Sequence, residues 1–318
     1  MASLAVRVRG AAARAVSATG AYRLVGAAIG RRRGGFVLAY HNLPAARFVA
    51  QIEALAPSRP VALDELVERH ANGRPTGDLF AITFDDGVGE TVRAIAAAAQ
   101  ARQWPVTFYL PTAYLDEPDG MPFQWLRAIE RQTAPLRVEV DGTMLDLADA
   151  AAVRAFAKRM TATMYTRPWA EYGPVVRRLK EALVERGGVA PSLLAPPAPI
   201  GWDEVAALAR DPLLAFESHG VSHTAVVALH GDELTHELVT SQRTIAEHTG
   251  RPCRHFCYPY GGAASIGNSA PAEVARHYRS GTTMTRGRLA RHDPALLPRV
   301  PVYPHDDADL VRLKVLTA

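Results

Sequence analysis

The feature that most constrains this chain is an alternation of short, almost wholly apolar runs of strand length with stretches of helical periodicity. Phe36 to Tyr40, Leu79 to Phe84, Val106 to Leu110, Leu213 to Phe216, His255 to Tyr260 and Arg299 to Tyr303 are predicted strands. Ala46 to Leu55, Leu63 to His70, Gly89 to Gln103, Trp202 to Ala209, Glu233 to Thr249 and Pro271 to Arg279 are predicted helices, several of them starting at a cap-like Asp or Ser. Strand, helix and strand repeated this often imply a parallel sheet or barrel. Leu79 to Phe84 and Val106 to Leu110 are near-continuously hydrophobic, as strands covered on both faces are. An α/β fold with a closed or nearly closed barrel follows, and its reactive residues belong where strands end, at the C-terminal rim.

One segment breaks the rhythm. Residues 112 to about 200 contain a turn signal at Asp141-Gly142, helical patterns at Ala148 to Met160 and Tyr172 to Arg186, and the Pro-rich Ala195 to Ile200. This reads as a largely helical insertion over the rim, either shaping a substrate groove or acting as a buttress. The expected organisation is a basic segment over residues 1–35, then a barrel domain over 36–318 that carries the insertion. With 318 residues, 48% hydrophobic and 21% charged, the chain can bury a full core.

The formal net charge of +4 comes largely from the N-terminus, where Arg7, Arg9, Arg14, Arg23 and Arg31 to Arg33 are grouped. The body is nearly balanced and has no basic patch with interleaved aromatics, so nucleic acid is not an expected partner. Arg14 and Arg23 interrupt Ala11 to Gly30, which therefore does not read as the apolar core of a secretory signal. The expected location is cytoplasmic. The same basic segment reads either as a solvated helix or as a peripheral contact with the inner face of an anionic membrane. Cys253 and Cys257 are too few for a disulfide framework.

Three clusters carry chemistry. Thr83-Phe84-Asp85-Asp86-Gly87 ends an apolar strand. Asp-Gly there is an ordinary turn signal, but two adjacent carboxylates at a rim can also divide labour, one binding a cation while the other takes a proton from water. His219-Gly220-Val221-Ser222-His223 follows a second strand, and two histidines four apart can reach one metal ion. Together they offer two imidazole nitrogens and a carboxylate oxygen, the composition of a catalytic metal site with positions left open. Phe256-Cys257-Tyr258-Pro259-Tyr260-Gly261-Gly262 runs from a strand into a Gly-rich turn, where the amide of Tyr260 or a neighbour can donate to a developing oxyanion.

The three blocks in this order, TFDDG, HGVSH and FCYPYG, resemble the polysaccharide deacetylase family, also called carbohydrate esterase family four or the NodB-homology domain. The likeness spans about residues 36 to 303 without the insertion. It implies a distorted (β/α) barrel of seven or eight mainly parallel strands and hydrolysis of an acetyl group from an amino sugar in a polysaccharide, lipid-linked or nucleotide-linked glycan. It implies Asp85 as general base, Asp86, His219 and His223 as ligands of a divalent ion, most simply zinc, and the Tyr260 backbone as oxyanion donor. In the third block the family carries an arginine where this chain has Cys257 or Tyr258; Arg299, in Leu297-Pro298-Arg299-Val300, is the expected substitute. The family's later motifs, which supply its catalytic acid, have no clear counterpart. His41, in a Tyr-His-Asn segment at the end of the first strand, is the remaining candidate polar group at the rim, whereas His292 and His305 lie near the C-terminus.

Relatives that hydrolyse other amides or remove formyl groups keep a non-acetyl amide open as substrate. Two histidines and a carboxylate also form the facial triad of Fe(II) oxygenases, but those sites sit on antiparallel double-sheet folds. A glycan-binding module that has lost catalysis is the other rival, and Asp85 argues against it, since a binding-only site has little use for a second carboxylate.

Overall fold

The computed structural model describes residues 34–116, 121, 129, 136–140, 143–164, 166–185, 189, 190, 195–290 and 292–318. The basic N-terminal segment and the Asp141-Gly142 turn lie outside the described residues. In chain order, β1 (Phe36–Tyr40) leads to α1 (Ala45–Glu53), β2 (Arg59–Pro60), α2 (Leu63–Ala71), β3 (Leu79–Phe84), α3 (Gly89–Arg102) and β4 (Val106–Leu110). Next come an antiparallel pair, β5 (Leu136–Val140) and β6 (Thr143–Leu147), then α4 (Ala150–Met164) and α5 (Trp169–Glu185). The chain returns through α6 (Trp202–Leu208), β7 (Leu214–Ser218), α7 (Asp232–Thr249), β8 (His255–Cys257), α8 (Ala263–Ile266), α9 (Ala270–His277), β9 (Ser280–Arg286), β10 (Leu297–Pro301) and α10 (Ala308–Leu316).

Every residue of β1, β3 and β4 is buried, as strands with helices outside and side chains inside must be. The strands follow the order β1, β10, β9, β8, β7, β4, β3, and β1 pairs again with β3 to close a seven-stranded parallel barrel, with β2 appended to β3 as an extra strand. The fold is the distorted (β/α) barrel that the resemblance implied. Alternate residues of each strand divide between two layers. Phe36, Tyr40, Phe80, Phe84, Phe108 and Phe216 lie in the layer that also holds Phe48 and Ile52 of α1 and Val92 and Ile95 of α3. Their rings pack in succession at centroid distances of 4.9 Å for Tyr40–Phe84, 5.9 Å for Phe84–Phe108 and 5.5 Å for Phe108–Phe216. Val37, Ala81, Tyr109, Cys257 and Leu297 belong to the other layer, whose lower end meets Leu63, Leu66 and Val67 of α2.

Boundaries shift where side-chain chemistry outranks hydropathy. β10 begins at Leu297 rather than Arg299, and β8 ends at Cys257 because the chain turns at Tyr260 with φ +62°. β9, Ser-Gly-Thr-Thr-Met-Thr-Arg, is not apolar enough to be read as a strand, yet its first four residues are buried. The cap-like residues seldom act as caps: α1, α2, α3, α6 and α7 have no side-chain hydrogen bond at the N-cap, whereas Asp307 caps α10 through the Leu310 amide. Both cysteines are free and buried. Among the described residues, no helix is long and apolar enough to cross a membrane.

The segment between β4 and α6 has its own small core, in which Ile129, Val153, Met164, Val176, Leu179 and Leu183 are buried together. Tyr260, from the loop after β8, packs against this cluster. The Pro-rich stretch that ends the segment lies along the loop after β3: Ile200 donates its amide to the Gly87 carbonyl at 2.8 Å, and Gly89 donates to the Ala198 carbonyl at 2.9 Å.

Candidate active site

Asp85 and Asp86 follow β3, His219 follows β7, Tyr260 lies beyond β8, His41 follows β1 and Arg299 sits within β10. Parallel strands place the residues that follow β1, β3, β7 and β8 at one end of the barrel, the C-terminal rim, with Arg299 just beneath it. Three of the clustered residues have unusual backbone for side chains with a Cβ: Asp86, His223 and Tyr260 have φ of +77°, +54° and +62°. Each such conformation costs on the order of 1–3 kcal/mol and persists where surrounding structure enforces it, as it does at functional sites.

The two carboxylates have different commitments. Asp85 is held by Arg299, whose Nη1 donates to Oδ1 at 2.8 Å and Nη2 to Oδ2 at 2.7 Å, a bidentate pair. Arg299 is fully buried. Its remaining contacts are the Thr283 carbonyl, reached by Nε at 2.9 Å, the Thr83 hydroxyl at 3.1 Å, and the sulfurs of Cys257 at 3.1 Å and Met284 at 3.2 Å. Arg299, Thr83, Tyr109 and Cys257 come from four strands and meet inside the barrel, beneath the rim. Burial alone would push the Asp85 carboxyl upward, but the Arg299 guanidinium, with His41 and His219, holds it well below the usual carboxylate range. The expected stand-in for the family's arginine thus reaches Asp85 from β10, and its guanidinium lies against the small Cys257 side chain of the third block.

Asp86 faces the histidines instead. Its Oδ1 lies 3.7 Å from His219 Nε2 and 3.6 Å from His223 Nε2, too far for hydrogen bonds. Donors bound at about 2.0–2.1 Å to one tetrahedral ion stand roughly 3.3 Å apart, so this spacing suits ligands around a cation. The rings of His219 and His223 meet edge to face at 4.7 Å, and His223 meets Tyr260 in the same way at 4.8 Å. His219 Nδ1 lies 2.7 Å from the Cys257 carbonyl, which fixes Nδ1 as the N–H donor and leaves the Nε2 lone pair toward Asp86. Burial and the neighbouring His223 hold the His219 pKa down to about 4, so its imidazole is neutral at physiological pH, as a ligand must be.

Among the described residues, two sets of donors lie within 4.8 Å of one another: Asp86 with His219 and His223, and Asp85 with His219 and Cys257. The first fits a divalent cation better. In the second, both Asp85 oxygens are engaged by Arg299, and burial pushes the Cys257 thiol well above its ordinary pKa, away from the thiolate a metal needs.

His41 stands at the rim with Nε2 3.8 Å from Asp85 Oδ2 and its side chain 44% exposed. His292 and His305 lie elsewhere: His292 offers its carbonyl to His70, and His305 stacks on Tyr303. Glu237, a site neighbour that no motif announces, reaches from α7 to the backbone between the two histidines.

The family model described as polysaccharide deacetylase matches residues 72–277, well over half of the chain. The chain belongs to the polysaccharide deacetylase family. No curated protein matches the sequence. Among solved structures, the Streptococcus pyogenes deacetylase PplD in complex with acetate is similar over 88% of this chain and 96% of its own, with TM-score 0.56 and 13% identity. IcaB from Ammonifex degensii is similar over 89% of this chain and 97% of its own, with TM-score 0.55 and 16% identity. The polysaccharide deacetylase BC0361 from Bacillus cereus is similar over 88% of this chain and 68% of its own, with TM-score 0.55 and 13% identity. At these identities the likeness is one of fold. Family membership makes this chain a hydrolase of the deacetylase family.

Proposed function

We propose that the protein removes the N-acetyl group from an amino sugar by hydrolysis that depends on a divalent cation held by Asp86, His219 and His223. The observation that carries this reading is the division between adjacent carboxylates, with Asp85 clamped by Arg299 and Asp86 facing two imidazole nitrogens. Two nitrogens and one carboxylate oxygen suit zinc. A bound divalent cation supplies Lewis acidity, which acidifies water and polarises a carbonyl.

Asp85 accepts the proton of the attacking water as oxygen bonds to the acetyl carbon. Its lowered pKa makes it a weak base in isolation, a shortfall that the acidity a bound cation would lend to water would offset. Arg299 keeps the carboxylate ionised and aimed. The negative charge that develops on the carbonyl oxygen is met by the Tyr260 backbone amide. The turn is held there by Gly261, which packs on Met284 where a Cβ would lie 2.6 Å from the backbone nitrogen. His41, half in solvent and within 4 Å of Asp85, gives a proton to the departing nitrogen as the C–N bond breaks. The products are acetate and a free amino sugar, with no covalent intermediate.

Acetate release from a panel of N-acetylated amino-sugar acceptors tests the reading. Release by the wild type and a loss of about 10²–10⁴-fold in Asp85→Asn are expected. Equal release by Asp85→Asn, or release only from amides that lack a sugar, would overturn it.

A further inference from the structure

The turn that carries both histidines is gripped from two sides. His219 donates its amide to the Leu110 carbonyl at 3.0 Å. The carbonyls of Gly220, Val221 and Ser222 accept from the Thr112 amide at 3.0 Å, the Ala113 amide at 2.9 Å and the Tyr114 hydroxyl at 3.1 Å. On the opposite side the turn presents consecutive N–H groups after Gly220, whose φ is +80°. Consecutive amides after a left-handed residue form a concavity suited to an anion.

The anion there belongs to the protein. Glu237, buried on α7, accepts from the Val221 amide at 2.7 Å and the Ser222 amide at 3.0 Å through Oε2, and from the Ser222 hydroxyl through Oε1. Glycine suits position 220 through its φ of +80°, and a Cβ there would lie 2.9 Å from Glu237 Oε2, so the carboxylate would have to shift. Burying a carboxylate is costly unless hydrogen bonds compensate it, and these bonds all go to the residues between His219 and His223.

We infer that Glu237 is a positioning residue for the cation site: its carboxylate fixes the turn so that both imidazole Nε2 atoms face Asp86. This rests on the reading of Asp86, His219 and His223 as ligands. A glutamine at 237 keeps the size but turns an NH₂ group toward a hydroxyl or amide donor, so the grip loosens without emptying the site. An aspartate keeps the charge one methylene short.

The test is Co²⁺ titration of the chelator-treated full chain, read by the visible d–d spectrum of the bound ion. In wild type, the ion binds and His219→Ala abolishes binding. Glu237→Gln is expected to weaken Co²⁺ binding about 10–100-fold and to shift the d–d bands, the size of effect expected when a group that orients ligands is lost. Glu237→Asp recovers part of both, and Ser222→Ala, which removes one bond to Glu237, weakens binding several-fold with the fold undisturbed. Far-UV circular dichroism and the melting temperature of the metal-free proteins separate positioning from unfolding. Wild-type affinity and spectrum in Glu237→Gln and Ser222→Ala would overturn the inference while leaving the ligand set intact. Absence of Co²⁺ binding by wild type, or binding unchanged in His219→Ala, would overturn both.

Discussion

Arg299 has no exposed surface, and its side chain is tied to a carboxylate equally withdrawn from water. Such a pair is demanding, because the desolvation of each charge is offset only by the other and by a full set of hydrogen bonds. Removing one partner therefore leaves an uncompensated charge in the barrel. Arg299→Ala should destabilise the protein by about 3–5 kcal/mol, and the double variant Asp85→Ala, Arg299→Ala by clearly less than the two single changes summed. Denaturant midpoints of the four proteins check this, and additivity of the single effects would contradict the coupling. The residues that motifs disclose are those with a fixed partner in sequence: Asp85 with Asp86, His219 with His223. Glu237 was not legible because a glutamate in a helix is ordinary and only the fold brings it beneath a turn. Arg299 was legible only through the resemblance, since a lone arginine beside a proline announces nothing about an aspartate more than two hundred residues away.

At the scale of elements, strands were readable where both faces are apolar. β1, β3 and β4 have the bounds expected from hydropathy alone, whereas β9, half threonine and glycine, finds its partners through backbone pairing with β8 and β10. The other end of the barrel is tied by α2. Asp64, in its first turn, accepts from Arg254 and Arg279, both at 2.9 Å, and lies 3.2 Å from His255 Nε2. Its position near the helix N-terminus also favours the charged form. Contact with His255, and then the charges of Arg254 and Arg279, outweigh partial burial and bring the Asp64 pKa down to about 2. A carboxyl whose pKa is lowered by folding contributes stability that is complete above its unfolded value, near 4, and is lost as pH falls toward 2. Melting temperature should therefore fall more steeply from about pH 4 to pH 2 in wild type than in Asp64→Asn, and parallel curves would exclude this contribution.

Across the whole molecule, closure was implied by the alternation of strands and helices, but how the segment between β4 and α6 packs was not. Its apolar residues have helical spacing, which says which face is buried and not what lies against it. In the structure they form a cluster of their own that Tyr260 joins. Leu179→Ala, at a buried member of that cluster, should cost about 2–5 kcal/mol locally. Amide exchange should rise across residues 150–185 while β1, β3 and β4 keep their protection; equal loosening of the barrel strands would mean that the two cores unfold as one.

In the proposed function, one divalent cation held by Asp86, His219 and His223 is needed for acetyl hydrolysis at this rim. The most direct measurement is acetate release by chelator-treated protein as zinc is returned in steps. Activity should be absent after chelation, rise linearly to a break at one equivalent, and remain absent at every zinc level in His219→Ala and Asp86→Ala. Full activity in the chelated protein, or zinc-dependent activity that survives both substitutions, would rule out this cation site as the seat of the hydrolysis.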